Sequence, residues 1–89
     1  MSRLYQELKI WRDVSDSTAI RYSCFIDLAT GKFAVQNADF FHLPITLDQI
    51  KFLDAQFVEL FIETSPKDRC EWFETLEQAI DAHDRDFDN

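Results

Sequence analysis

Apolar and polar residues alternate most clearly between Ile20 and Leu28. Ile20, Tyr22, Cys24, Ile26 and Leu28 interleave with Arg21, Ser23, Phe25 and Asp27. A period of two is that of a strand with one face buried. The turn cluster Ser15-Asp16-Ser17-Thr18 precedes this stretch, and Ala29-Thr30-Gly31-Lys32 follows it. That second cluster holds the one glycine, placed where a hairpin turn needs a positive φ. Phe33 and Val35, alternating with Ala34 and Gln36, predict the return strand. Leu4–Val14 fits either an alternating strand or a helical face through Leu4, Leu8 and Trp11. A strand is preferred, because the two following strands need a partner.

The second half predicts helices and one ambiguous segment. Thr46 and Gln49 fit a capping box, so a short helix is expected over about Leu47–Asp54. Residues 56–64 can be read two ways. As a strand they would bury Val58, Leu60 and Ile62; as a helix they would extend the preceding one. Their Phe, Val, Ile and Thr content favours the strand. Ser65-Pro66-Lys67-Asp68 suits a type I turn, and residues 69–73 alternate beyond it, completing a second hairpin. Thr75 and Gln78 form another capping box. Leu76, Ala79, Ile80, His83 and Phe87 then make one stripe of an amphipathic helix. The expected fold is α+β: a βββ-α-ββ-α order, with an antiparallel sheet of about five strands and the C-terminal helix on one face. The alternative is βββαα with one long helix over 47–63.

Length and composition narrow the class. Eighty-nine residues with two prolines and one glycine leave no linker, repeat or low-complexity segment, so a single domain over 1–89 is expected. No apolar run nears the ~18–20 residues of a membrane helix. The N-terminal residues carry no secretory or lipidation signal, and two widely spaced cysteines read as reduced core residues. A cytoplasmic protein is expected.

Charge is the most informative global feature. The net charge is -8, which argues against direct nucleic-acid binding. Residues 1–53 balance six acids against six bases. Residues 54–89 hold eleven acids against Lys67, Arg69 and Arg85, so the whole excess lies there. Glu74, Glu77, Asp81, Asp84 and Asp88 recur every three or four residues and share a helical face. Aspartates near a helix C-terminus oppose the macrodipole. These five residues are the candidate surface for a basic protein partner. In size, acidity and hairpin-rich pattern the chain resembles small bacterial accessory proteins such as toxin immunity proteins, a likeness of composition rather than of motifs.

Two further readings complete the set. If 56–64 is a strand, Phe57 and Phe61 join Phe25 on the far face of the sheet. That apolar face would mark a homodimer interface. Cys70, His83 and Asp84 could in principle form a nucleophilic site. The chain lacks a Gly-rich phosphate loop, a nucleophile elbow and a His-Glu-x-x-His motif, so it is expected not to be an enzyme. Cys24, Cys70, His42 and His83 lack zinc-ligand spacing. Asp84–Asp88 imitates the start of a calcium loop but lacks its glycine and terminal glutamate. No metal or cofactor is expected.

Overall fold

The computed structural model describes Arg3–Asp88, without the side chains of Phe87 and Asp88. Three strands form one antiparallel sheet in the order β1-β2-β3: β1 Tyr5–Ser15, β2 Thr18–Asp27 and β3 Phe33–His42. Three helices follow: α1 Leu47–Glu63, the single turn α2 Pro66–Arg69, and α3 Leu76–Asp88. None of them is long and apolar enough to cross a membrane.

The two turns expected in the first half form, joining β1 to β2 and β2 to β3, whereas the hairpin expected over 56–73 does not. Tyr5 pairs with Asp27 and Asp13 with Ala19 across β1 and β2. Gly31 takes φ 74°, and its N–H donates to the Asp27 carbonyl at 2.7 Å. The Asp27 side chain accepts from the Ala29 N–H at 2.9 Å, an Asx turn that fixes the loop. β3 runs on to His42, well past Gln36. A bulge at Gln36 lets it do so: Ser23 pairs with Asn37 but Cys24 with Val35. The extra residue shifts the side-chain phase of β3 between its two halves.

The five-strand expectation is corrected to three. Residues 56–64 are helical up to Glu63, and the long-helix alternative over 47–63 is what forms. Thr46 caps α1 by accepting from the Gln49 N–H. No glycine or proline interrupts the segment afterwards. Ile50, Leu53, Phe57 and Phe61 then fall at i, i+3, i+7 and i+11 on one helical face. Burying that face outweighs the local strand preference of Phe, Val and Ile. The expected turn at Ser65–Asp68 begins α2, with Ser65 capping and Pro66 in the first turn. The last expected strand is reduced to one bridge, Phe33 with Phe73.

The sheet is sandwiched between α1 and α3. On one face, Tyr22 and Cys24 pack with Ile80 of α3, ringed by Leu8, Ile10, Ile20, Val35, Ala38 and Leu76. On the other face, Phe25 stacks on Phe57 at 5.4 Å and meets Phe61 at the same distance. β2 is therefore covered on both sides and is buried from Arg21 to Phe25.

α1 is tied down partly by charge. The Arg21 guanidinium, 8% exposed, donates to Asp54 of α1 at 3.0 Å and to Asp39 at 3.4 Å. It also lies 5.0 Å from the Phe41 ring. Lys9 donates to Ser23 at 2.8 Å and sits 4.1 Å over Phe57. Removing Arg21 leaves Asp39, with its side chain 12% exposed, without a counter-ion and held only by the Asn37 amide at 3.3 Å. Arg21→Ala should therefore cost about 3 kcal/mol. Asp54 is half exposed, so Asp54→Ala should cost under ~1 kcal/mol. Urea unfolding of both variants checks this ordering, and equal losses would refute it.

Candidate functional site

A closed triangle of side-chain hydrogen bonds joins β1, β2 and α3. Tyr22 points from the central strand towards α3 because its neighbours at every second position, Ile20 and Cys24, face the same core. Its hydroxyl donates to Asp84 Oδ1 at 2.8 Å and accepts from Arg12 Nε at 3.1 Å. Arg12 Nη2 closes the triangle on Asp84 Oδ2 at 3.0 Å. The His83 ring meets Tyr22 edge-on at 6.1 Å. These groups border a shallow cleft of about 300 Å³, whose remaining walls are Ile20, Ala38 and Phe40.

The electrostatics favour a structural triangle over a reactive one. Burial pushes the Tyr22 phenol up, and its hydrogen bond to Asp84 adds to this, while Arg12 pulls the other way. The bond from Tyr22 raises the Arg12 guanidinium further. The phenol and the guanidinium are thus each held in the charge state it has in neutral water.

Sequence reasoning assigned Asp84 to a solvated acidic face. The structure corrects this: Asp84 is turned towards the sheet and occupied by Tyr22 and Arg12. Glu77 and Asp81 of α3 are exposed, and Glu74 precedes the helix with Lys32 at 3.6 Å. The side chain of Asp88 lies outside the described residues. The acids grouped by spacing thus divide into one that docks α3, one beside a lysine and two on the solvent side.

Of the expected phenylalanine face, Phe61 remains 37% exposed while Phe25 and Phe57 are covered. Phe25, Phe57 and Phe61 do come together, but within one chain. Phe25 is 3% and Phe57 8% exposed, because α1 itself covers that side of the sheet. A helix in place of two strands leaves Phe25 and Phe57 no surface to offer a second copy.

Cys70 and His83 line one cleft of about 260 Å³ with Arg69, Glu71 and Asp86. Burial pushes the Cys70 thiol up, against Arg69, so the thiolate a nucleophile needs is disfavoured. Cys24, fully buried in the core, is pushed up to about 12. Both cysteines are free thiols. Among the described residues, no group of three or more His, Cys, Asp or Glu side chains is placed to hold a metal ion.

No family model, curated protein or solved structure matches the chain. The Arg12–Tyr22–Asp84 triangle escaped the sequence reading. Arg12 and Asp84 lie 72 positions apart and carry no joint motif. The one available signal was a tyrosine on the apolar face of the best-defined strand, since a buried hydroxyl needs a partner.

Two outcomes follow from the cluster. Tyr22→Phe leaves Asp84 short of a donor and should cost about 1–2 kcal/mol, read by urea unfolding. Burial also holds the His83 imidazole below its ordinary value, against the pull of Asp84 and Asp86. The unfolded chain therefore binds a proton, just below about pH 6.5, that the folded chain does not. Stability should fall as pH drops through that window and be regained as it rises. Urea midpoints for the wild type and His83→Gln, followed from about pH 7 to 5.5, test this. A slope that the substitution leaves unchanged would clear His83 of the effect.

Proposed function

We propose that this chain is a small non-catalytic protein-interaction module, of an immunity, inhibitor or adaptor kind, that receives a basic partner on the outer face of α3. The observation that carries the reading is the position of the charge. The whole excess of -8 follows residue 53, and Glu77 and Asp81 stand on the solvent side of a helix whose other side, through Ala79 and Ile80, is buried. Such a face raises association rates with a basic surface and makes binding salt-sensitive. Glu74 borders the same face. The poor thiolate character of Cys70 also favours a binding role over a catalytic one. Two free thiols suit a reducing compartment such as the cytoplasm.

The test compares the wild-type chain with Glu77→Lys/Asp81→Lys as baits in lysate of the source cell, at low and high salt. The wild type should retain a basic protein at low salt and release it at high salt, while the reversed bait retains none of it. Both substituted positions are exposed, so the variant should unfold at the wild-type urea midpoint. Identical retention by both baits would end the proposal.

A further inference from the structure

The sheet has two outer edges, and only one is protected. On β3 the bulge at Gln36 interrupts the edge, and Phe33 is bridged to Phe73 by a pair of 2.8 Å backbone hydrogen bonds. Bulges and covering segments are the usual means of blunting an edge. β1 has neither between Tyr5 and Asp13, where its pairing with β2 is unbroken. The Leu28 N–H donates to the Leu4 carbonyl at 3.1 Å, so Leu4 directs its polar backbone groups at β2. By alternation, Tyr5, Glu7, Lys9, Trp11 and Asp13 direct theirs outward.

We propose that the β1 edge pairs antiparallel with β1 of a second copy, about a two-fold axis at Leu8, to give a continuous six-stranded sheet. The outward groups allow only registers in which odd-numbered residues oppose odd-numbered ones. Centred on Leu8, Glu7 faces Lys9, Tyr5 faces Trp11 and Arg3 faces Asp13, each pair occurring twice, beside the contacts these bases make within the chain, Arg3 to Asp27 at 2.9 Å and Lys9 to Glu7 at 3.9 Å. Every charge on that face meets its opposite. Centring on Glu7 or Lys9 sets like charges against each other, and centring on Ile10 sets Glu7 against Asp13. Centring on Trp11 matches Lys9 with Asp13 but carries Glu7 past the irregularity between Asp13 and Ser15. Edges that resist pairing carry charges that repel a second copy. The charges on β1 are of both signs, in an order that complements itself.

The exposed surface agrees with a missing neighbour. The chain exposes 6281 Å². A protein of its mass ordinarily exposes about 5,400 Å². The surplus of about 880 Å² is shared among several apolar patches, with Phe52, Val58 and Ile62 of α1 exposed as well as this edge. Leu4, Trp11 and Val14 on this edge are all more than half exposed, Trp11 by 58%. This surface is separate from the outer face of α3, and a two-fold dimer would present that face twice.

Sedimentation equilibrium tests the pairing. The wild-type chain should show twice its 10.5 kDa mass in the tens-of-micromolar range. Glu7→Lys turns both Glu7–Lys9 pairs into like-charge pairs and should weaken the dimer about tenfold. Glu7→Lys/Lys9→Glu exchanges the charges and should restore it. Lys9 also touches Ser23 and Phe57, so circular dichroism verifies that the double variant folds. If it does not fold, Asp13→Lys, which opposes Arg3, should weaken the dimer as Glu7→Lys does. A monomeric wild type at about 100 µM overturns the proposal. So does a dimer indifferent to Glu7→Lys and Asp13→Lys, or a folded double variant that stays monomeric.

Discussion

Everything in this structure depends on burying β2 on both faces. A three-stranded sheet has one central strand, and a short chain can shield it only by placing a helix on each side. Neither helix is attached by apolar burial alone. α1 reaches Arg21 of β2 through Asp54, and α3 reaches Tyr22 of β2 and Arg12 of β1 through Asp84. Each tether is an aspartate on a helix bound to an arginine on the sheet. The arginine in each case has an aromatic ring beside it: Phe41 for Arg21 and Tyr22 for Arg12. Burial of a charge is tolerable only when it is paired, and Arg21 meets that condition through two carboxylates.

This arrangement recasts the charge asymmetry of the sequence. The bases of the first half lie beside acids of the second: Arg12 with Asp84, Arg21 with Asp54, and Lys32 with Glu74. Part of the acidic excess is therefore internal wiring. The residues left on the outer side of α3 are fewer than the spacing of acids suggests, which concentrates any role in recognition on Glu77 and Asp81.

The hairpins were legible because their signals are local. Alternation in β2, a turn cluster and a glycine at the required φ each act over a few residues. The segment after Asp54 was not. Its composition favours a strand, and nothing within it reveals that Phe25 lies across the sheet, ready to stack on Phe57 and Phe61. Helix and strand bury different subsets of those apolar residues, and the choice falls to a strand that ends nearly thirty residues earlier. The same nonlocality hid the role of Asp84. Its spacing within α3 groups it with Glu77 and Asp81, while the register of β1 on β2 brings Arg12 and Tyr22 to meet it.

The misreading of Phe25, Phe57 and Phe61 also relocates the question of assembly. Those side chains were expected to mark an outer face because two short helices could not cover both faces of a five-stranded sheet. With α1 in place Phe25 and Phe57 are covered, while Phe61 keeps 37% of its surface exposed. The edges of the sheet differ in how they end. β3 is bent by its bulge and bridged to residue 73, whereas β1 presents a straight run of outward backbone groups. A strand in that position either repels its own kind or complements it. The order of Arg3, Glu7, Lys9 and Asp13 decides between these, because reversing the strand about Leu8 maps each charge onto its opposite. Arg3 and Lys9 also serve within the chain, on Asp27 and on Ser23 and Phe57, so Glu7 and Asp13 are the positions on which the self-complementarity bears most directly.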